Sequence, residues 1–405
     1  MHPPKPQRPL PKAKIEEREE ENVFVELHIL QNFAPANLNR DDTGAPKDCE
    51  FGGYRRARIS SQCLKRATRR DGGFAELLEQ RGGVRTRHLL VEIAERVANA
   101  KPAPERTLKV ISEVFAQGGI DLAKEHGKET DHTKLILFLD KAALDEITAL
   151  FRGRWEALAG GSKQDRAVAV RDLGAILAGA VKAPDIALFG RMVEIDADKP
   201  FGKLGLGIDA ACQVAHAIST NAVSVEFDFY TAVDELLPKG DQGAAMMGTV
   251  EFNSACFYRY ANVDLEQLSQ NLGHDTDLAR ASLSAFLGAT IAAVPTGKQN
   301  SMAAQNPPSF ILAVVRQKGL WSLANAFVRP VYPDQTGDLV QNSVKALDAY
   351  WGKLAALYGE QGIAGKWCAS LDGHGLHHLE AARVKSVTEL LDNVMASVAF
   401  VGEGK

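Results

Sequence analysis

The chain has 405 residues, of which 45% are hydrophobic and 24% charged, and its formal net charge is −4. This length suggests two or three domains, and the hydrophobic content is ample for a large core. Residues 1–21 are rich in proline and charge, and neither they nor any later segment has the apolar run of a signal peptide or a membrane span. We therefore expect a globular protein without membrane contact and a disordered or extended segment at 1–21.

The five cysteines are scattered through the chain and form no CxxC pair: Cys49, Cys63, Cys212, Cys256 and Cys368. This distribution is typical of reduced thiols in a cytoplasm and argues against a disulfide framework or a zinc site. The sequence therefore predicts a cytoplasmic protein.

The first predicted strand is Val23–Leu30, a short apolar run rich in β-branched residues. A basic patch follows it. Seven basic residues lie between Tyr54 and Arg70, whereas no Asp or Glu occurs between Phe51 and Arg70. In a chain of net negative charge, this patch is a candidate polyanion-binding surface.

Half of the basic patch is a predicted helix. A short alternating run ends at Ile59, and Ser60 and Ser61 after it are good N-cap residues. At about 100° per residue, four polar residues share one face of the helix: Gln62, Lys65, Arg66 and Arg69. The opposite side is formed by Cys63, Leu64 and Ala67. Cations beside the free N–H groups of a helix start stabilise phosphates.

A solvated basic helix face is the plainer interpretation of such a charge run. The pair Gly52-Gly53 permits close backbone approach, and this favours a polyanion site. We expect Lys65 and Arg69 to lie away from the buried flank of the helix, so that reversing their charges leaves the fold intact.

Between Phe74 and Lys182 the sequence is mostly helical. Leu, Ile, Val and Ala recur at helical spacing in four stretches: 88–98, 105–116, 141–159 and 164–181. A strand-like run at Leu135–Leu139 interrupts them. The pattern predicts a separate helical lobe.

Strands return after this lobe. Val214–Val223 and Val250–Tyr260 have strand patterns, Thr276–Ala293 has a helical one, and Phe310–Val315 is the last predicted strand. The core order is strand, helix, strand, strand, helix, strand, as in RNA-recognition-motif-like or ferredoxin-like sheets. We predict an α+β fold in which this sheet carries two insertions, the helical lobe and Ser224–Gly248.

The second insertion, with 25 residues, is too long for a simple hairpin loop. Alternating Val225, Phe227 and Phe229 predict a β-arm, and Pro238-Lys239-Gly240 predicts its turn. An arm without a core of its own needs a partner surface elsewhere.

Two further stretches are candidate contacts. Pro295–Pro307 is a Gly-, Pro- and Asn-rich loop that carries Lys298 and Gln299. The aromatic run Phe257–Tyr260 could be a stacking platform for bases. Strand alternation must bury half of that run, so we favour a core role for it.

Two clusters imitate metal sites. His374, His377 and His378 lie in a Gly-rich setting without matching carboxylate or cysteine ligands, so a solvent-exposed segment is favoured. A group of acids could suggest a two-metal nuclease, but it lies amid basic residues, and charge pairing around a loop explains it more simply. The acids are Asp41, Asp42, Asp48 and Glu50. No phosphate-binding, hydrolase or dinucleotide motif occurs, and we predict no catalytic residue, metal or cofactor.

Long motifs connect these features to a known family. LNRDD at Leu38–Asp42 and FGGYRRARISSQCLKRA at Phe51–Ala67 resemble the signature of the CasC-type backbone subunit of the type I-E CRISPR Cascade surveillance complex. Later stretches resemble the same family in the same order: Pro184–Met192, Val214–Thr220, Phe229–Leu236, Phe257–Leu265 and Ala324–Phe327. The resemblance runs from about Val23 into the C-terminal helices.

The resemblance implies a non-enzymatic subunit, several copies of which polymerise along one CRISPR guide RNA and leave its bases free to pair with target DNA. Its implied partners are guide RNA, target DNA, further copies of itself, and the large, small and guide-end-binding subunits of Cascade. In this family the sheet is a palm (22–73, 184–223 and, with C-terminal helices, 249–405), the helical lobe is the fingers (74–183) and the arm is the thumb (224–248).

Carried over residue by residue, the resemblance implies that the guide is held by Arg40, Lys47, Ser60, Gln62, Lys65, Arg66, Arg69, Lys298 and Gln299. It implies that Met192, Phe229 and Tyr230 are apolar wedges near displaced bases. The chain departs from the family in its N-terminal extension and in a longer loop at Glu194–Asp209.

Two other functions stay open from the sequence. Backbone subunits of type III complexes cut target RNA with a thumb-loop aspartate, for which Asp228, Asp234 and Asp241 are candidates, although the type I-E resemblance argues against that role. The other is a single-strand RNA-binding module that never polymerises.

Overall fold

The computed structural model describes residues 23–233, 244–335, 337–371 and 375–400. Several predictions fall on residues outside these ranges: the segment at 1–21, the arm turn at Pro238–Gly240, and Asp234, Asp241 and His374. Across the described residues, no helix combines the length and apolarity needed to cross a membrane.

The described residues form thirteen strands: β1 (Phe24–Ala36), β2 (Asp48–Phe51), β3 (Tyr54–Ile59), β4 (Gly83–Thr86), β5 (Leu122–Glu125), β6 (Lys128–Thr133), β7 (Leu137–Asp140), β8 (Cys212–Val214), β9 (Ala217–Ser219), β10 (Glu226–Val233), β11 (Ala244–Asp264), β12 (Phe310–Arg316) and β13 (Ile363–Ser370).

Thirteen α-helices are present in the same residues: α1 (Ser61–Arg69), α2 (Gly72–Arg81), α3 (Leu89–Ala98), α4 (Glu105–Gly118), α5 (Lys141–Gly153), α6 (Trp155–Ala159), α7 (Lys163–Gly179), α8 (Pro184–Phe189), α9 (Leu265–Asn271), α10 (Thr276–Ala292), α11 (Gln299–Met302), α12 (Leu339–Tyr358) and α13 (Val387–Ser397). Single 3₁₀ turns lie at Gly202–Leu204, Ala324–Phe327 and Glu380–Ala382.

Nine strands form one sheet, whose order is β13-β12-β1-β11-β9-β3-β2, with β8 and β10 also paired to β11. The predicted α+β class is confirmed. The predicted core elements are present as β1, α1, β8 with β9, β11, α10 and β12, and the four core strands lie side by side in the order β12-β1-β11-β9. The predicted strand at Val214–Val223 is shorter than expected, because it is split between β8 and β9 at Ala215 and His216.

The side chains of β1 alternate between two hydrophobic cores. Val25, Leu27 and Ile29 lie in a first core, which α10 and α13 close on one face of the sheet. Leu30 lies in a second core with Trp351 of α12, on the other face. The centre of the sheet is therefore covered on both sides.

The helical lobe has its own core, built mainly from α3, α4, α5 and α7. Three of its predicted helices match α3, α4 and α7 to within two residues at each end. The predicted helix at 141–159 is interrupted at Arg154, after Gly153, because glycine is a poor helix former. Phe201, from the loop at 194–209, also lies in the core of the lobe.

A two-stranded ribbon extends from the sheet. In it β10 pairs with the first part of β11, from Glu226 opposite Phe252 to Val233 opposite Ala244. The predicted β-arm is therefore confirmed within the described residues.

The glycine pair before α1 is a tight hairpin turn between β2 and β3. Gly52 and Gly53 have φ of 64° and 79°, as in type I′ turns. A Cβ on Gly52 would lie 2.1 Å from the carbonyl oxygen of Val328, whereas a Cβ on Gly53 would meet nothing within 4 Å. The turn and the contact with the protein's own backbone thus explain the pair without a ligand, and its interpretation as an approach site for a polyanion stays a prediction.

Replacing each of these glycines by alanine separates the two effects. Both variants place an L side chain in the left-handed region, at about 1–2 kcal/mol. Only Gly52→Ala adds a clash with the backbone of Val328. We expect the free energy of unfolding, measured in urea, to fall by about 1 kcal/mol for Gly53→Ala and by about 3 kcal/mol or more for Gly52→Ala. Equal losses would mean that the turn is not docked on Val328 in solution.

Candidate nucleic-acid interface

A cleft of about 540 Å³ opens beside α1, and we call it the basic cleft. Its walls come from α1 and from two loops that are distant in sequence, at 38–41 and 295–297. Among the residues that line it, Asp41 is the only acid and three are arginines. The lining residues are Leu38, Asn39, Arg40, Asp41, Ser60, Gln62, Cys63, Arg66, Ala67, Arg70, Pro295, Thr296 and Gly297.

Two hydrogen bonds of Ser60 help to fix the start of α1. The Ser60 hydroxyl caps the helix by accepting from the backbone N–H of Cys63 at 3.3 Å, as predicted. The backbone N–H of Ser60 donates to Asn39 Oδ1 at 2.8 Å, which ties the 38–41 loop to the helix. No acidic residue lies in the first turn. The positive end of the helix dipole is therefore not neutralised locally and favours an anion.

The polar residues of α1 occupy two edges of the helix rather than one face. Leu64 and Thr68 are the buried residues of the helix. Gln62, Arg66 and Arg70 are exposed and line the basic cleft. We call these three the basic edge.

Lys65 and Arg69 lie on the other edge of α1. The ammonium of Lys65 is 5.4 Å from the centre of the Phe189 ring, a cation–π contact. Arg69 Nη2 lies 2.5 Å from Asp185 Oδ2, and the Asp185 side chain is only 3% exposed. The expectation that reversing Arg69 leaves the fold intact is therefore wrong, because an ordered carboxylate already engages its guanidinium.

The loop at 295–302 forms the second wall and is built around internal contacts. A Cβ on Gly297 would lie 2.3 Å from the carbonyl oxygen of Leu38, so the two loops touch through their backbones. The Gln299 amide donates to the carbonyl oxygens of Pro295 and Ala304, at 3.0 and 3.1 Å. Gln299 thus closes the loop, and its amide nitrogen is not free to hold RNA. Lys298, with φ of 52°, follows directly after the cleft residues.

Two of the acids near the cleft, Asp41 and Asp48, bond to other groups of the protein. Asp41 Oδ1 accepts hydrogen bonds from the backbone and hydroxyl of Thr43 and from the N–H of Ala45, and these bonds lower the pKa of Asp41. Asp48 forms an ion pair with Arg55. In the part of the chain that the structure describes, no group of three His, Cys, Asp or Glu residues could hold a metal ion.

Exposed Arg40 belongs to the loop that Asp41 organises, and it forms an isolated bridge with Pro46. Lys47 follows, and its backbone N–H donates to the Asn39 carbonyl at 2.8 Å. The two predicted guide contacts therefore stand at opposite ends of one short, internally bonded loop.

Arg56 belongs to the basic patch in sequence but not in space. Its side chain is fully buried and donates to four carbonyl oxygens, those of Ser219, Thr220, Phe327 and Val328. It holds β3 to the chain around β9 and 324–328, so it contributes no surface charge.

Met192 is exposed to solvent and follows the buried Arg191, which anchors the backbone at this point. Arg191 is buried and donates to the carbonyl oxygens of Phe138, Leu177, Ala180 and Leu206. The following Met192 side chain is 76% exposed. Such a highly exposed apolar side chain on an anchored backbone is compatible with the predicted role of Met192 as a wedge near a displaced base.

The ribbon has one apolar face. Phe227, Phe229 and Met247 are 67%, 63% and 66% exposed, and the pairing of Phe229 with Thr249 and Thr231 with Met247 places all three on the same side. Tyr230 lies on the other side, where its ring covers Gly248.

The aromatic run of β11 is core, as favoured from the sequence. Phe257, Tyr258, Arg259 and Tyr260 are all buried. The Tyr258 hydroxyl accepts from the Leu323 N–H at 2.8 Å. These rings are therefore unavailable for stacking on bases.

The histidines near the C-terminus do not form a ligand cluster in the described residues. The backbone N–H groups of His377 and His378 donate to the buried carboxylate of Asp348 at 3.0 Å, while both imidazole rings are exposed, as the sequence suggested.

Three polar residues near the cleft were not assigned from the sequence: Asn39, Arg70 and His216. Arg70 was visible as the last residue of the basic run. The role of Asn39 depends on a contact with a residue 21 positions away, and the position of His216 depends on an irregular strand, so neither leaves a local signal.

Comparisons with known proteins agree with one another. The model of the CT1975-like protein family matches residues 25–396. A chain of a solved structure described as "CRISPR RNA-guided surveillance complex, pre-nicking" superposes with a TM-score of 0.80 at 31% identity, over 92% of this chain and 99% of that chain. A chain of a "CRISPR RNA-guided surveillance complex" superposes with a TM-score of 0.69 at 25% identity, over 93% and 100%. No curated protein sequence matches this chain.

The two cations on the far edge of α1 give a stability test. Arg69→Met leaves the buried Asp185 carboxylate without its cation, and we expect the free energy of unfolding to fall by about 3 kcal/mol. Lys65→Met removes a cation without a carboxylate partner among the described residues and should change it by less than about 1 kcal/mol. Urea titrations of both variants measure the difference. A loss below about 1 kcal/mol for Arg69→Met would show that the ion pair does not hold in solution.

Proposed function

Because the chain belongs to the CT1975-like protein family, we propose that it is a non-catalytic backbone subunit of a CRISPR RNA-guided surveillance complex, polymerising along the guide RNA and presenting it to target DNA. From the resemblance of its sequence motifs, we propose that this complex is of the type I-E class. Its partners are then the guide, target DNA, further copies of itself and the other Cascade subunits, in the cytoplasm.

The basic edge of α1 carries the proposal. Gln62, Arg66 and Arg70 share an open cleft with the positive end of the helix, whose first turn carries no acidic residue, and neither arginine has a protein carboxylate within ion-pair distance among the described residues. Such a surface recognises phosphates by charge and spacing and does not read base edges. A protein that holds only the backbone leaves the bases free for pairing.

The arrangement of the sheet supports the palm assignment. The order β12-β1-β11-β9, with α1 and α10 between the core strands in sequence, corresponds to the ferredoxin-like topology that RNA-recognition motifs share. In this interpretation 74–183 is the fingers insertion and 224–248 the thumb.

Polymerisation is supported by the ribbon. Its apolar face of Phe227, Phe229 and Met247 has no covering partner among the described residues of the same chain, and exposed apolar faces usually mark interaction sites. We assign this face to contact with the guide or the neighbouring copy, next to a displaced base.

The first test reverses the basic edge. Arg66→Glu with Arg70→Glu should weaken binding of single-stranded RNA by at least about 100-fold, and the slope of log affinity against log salt should fall by about 0.7 for each lost phosphate contact. Fluorescence anisotropy at several salt concentrations gives both quantities. The matched control is Arg106→Glu with Lys109→Glu, which makes the same charge change on the exposed face of α4 in the lobe. Equal losses in the two double variants would mean that net charge, rather than the basic cleft, governs binding.

The second test concerns assembly. Wild-type protein mixed with guide RNA should form a multi-copy particle, seen by light scattering and electron microscopy. Phe227→Ser with Phe229→Ser should retain RNA binding but stop at small complexes, because it removes the apolar face of the ribbon. Asp228→Ala is the control, since Asp228 lies between these residues and points to the opposite side of the ribbon.

The same mixture distinguishes the alternatives. Metal-dependent cutting of a complementary RNA that Asp228→Ala abolishes would place the protein with the type III-like nucleases. A one-to-one complex of the wild type would identify a module that does not polymerise. Normal particles from the double Phe variant would remove the ribbon face from assembly.

A further inference from the structure

His216 occupies an irregular position in the sheet. Val214 pairs with Ala261 of β11, and Ile218 pairs with Tyr258 of the same strand. The chain therefore advances by four residues from Val214 to Ile218, while the partner strand β11 advances by only three. The extra residue defines a β-bulge around Ala215 and His216. Bulges redirect a side chain out of the regular alternation, and they are enriched beside functional sites. Here the bulge places an exposed imidazole at the start of α1.

The contacts of His216 define its tautomer. Nδ1 lies 3.4 Å from the backbone nitrogen of Ser61 and 3.2 Å from Nη1 of Arg58. Both neighbours can only donate, so Nδ1 is the acceptor and the ring proton is on Nε2. Partial desolvation together with the charges of Arg58 and Lys47 lowers the pKa of His216, which favours the neutral form of the ring. Nε2 makes no hydrogen bond within the described residues.

The surroundings of His216 are cationic. Arg58 is held by a bond from its Nε to the Asp48 carbonyl at 3.1 Å, and its guanidinium lies beside the imidazole. The positive charge of Lys47 acts to lower the pKa of both His216 and Cys63, so Lys47 lies near both side chains. Cys63 in turn lines the basic cleft. A neutral N–H donor beside two cations is suited to a phosphate oxygen, since the cations attract the charge and the donor fixes one oxygen.

Resting on the proposed function, we infer that His216, Arg58 and Lys47 form a second phosphate subsite, in which the Nε2–H of His216 donates to a phosphodiester oxygen of the bound RNA. The RNA strand then continues from the basic cleft across the start of α1. The directional hydrogen bond from His216 fixes the register of the RNA backbone, whereas Arg58 and Lys47 attract its negative charge.

Two substitutions separate the roles of the two ring nitrogens. The amide of His216→Asn reaches the position of Nδ1 and can still accept from the Ser61 N–H, but it has no donor at the position of Nε2. The amide of His216→Gln reaches the Nε2 position and keeps the outer donor. We expect Asn to weaken RNA binding about 10-fold, as for one lost hydrogen bond to a charged group, and Gln to remain within about 3-fold of wild type. The reverse order would mean that His216 only braces α1.

Salt dependence provides the second measurement. A neutral donor displaces no counterion from the RNA when the complex forms. His216→Asn should therefore leave the slope of log affinity against log salt unchanged. Lys47→Gln should lower that slope by about 0.7. A lowered slope for His216→Asn would show that the ring is charged in the complex and would overturn the neutral-donor assignment.

Single-stranded DNA of the same sequence tests the identity of the acceptor. A phosphate contact predicts an equal loss for His216→Asn on RNA and on DNA, whereas a loss confined to RNA would identify a ribose hydroxyl and contradict the inference. The outcomes are distinguishable from failure of the proposed function. If wild-type protein does not bind RNA, the proposed function fails; if it binds and His216→Asn binds equally well, only this subsite fails.

Discussion

Burial of β1 on both faces determines which parts of the sheet remain at the protein surface. The first core covers one face of the sheet, and α12 with Trp351 covers the other. The rings of Tyr258 and Tyr260 are consequently part of a packed layer and cannot stack on bases. A sheet closed in this way leaves its margin near β3 and β9, the start of α1 and the two adjoining loops. The basic cleft lies at this margin.

The arginines of the chain divide into those that hold the fold and those that face solvent. Arg56 and Arg191 are buried, and each donates to four backbone carbonyl oxygens. Arg259 is also buried, and burial lowers its pKa to about 10, yet its guanidinium still donates to Gln31 and Thr290. A guanidinium suits this role because it has five donors in a fixed plane. The Arg191 anchor lies directly beside the exposed Met192.

Local features were predictable from the sequence, and long-range ones were not. The cap at Ser60, the ribbon and most lobe helices follow from patterns within a few residues. The roles of Arg56 and Arg69 depend on partners 163 and 116 residues away, and a charge run carries no information about such partners. The bulge that exposes His216 likewise arises from the register of β8 and β9 against β11, which alternation within one strand cannot reveal.

The position of α1 relative to the lobe depends on a shared carboxylate. Asp185 accepts from Arg69 at the end of α1 and from the backbone N–H of Gly83, where β4 leads into the lobe. Because the carboxylate is buried, water does not readily replace Arg69 or the Gly83 N–H as its hydrogen-bond donor. These two bonds therefore fix the orientation of α1. Recognition of a phosphate chain requires charges at a set spacing rather than a particular base. In the function that we propose, the rigid frame around α1 holds charges at such a spacing, and the exposed side chains of Arg66 and Arg70 adapt to the path of the RNA strand.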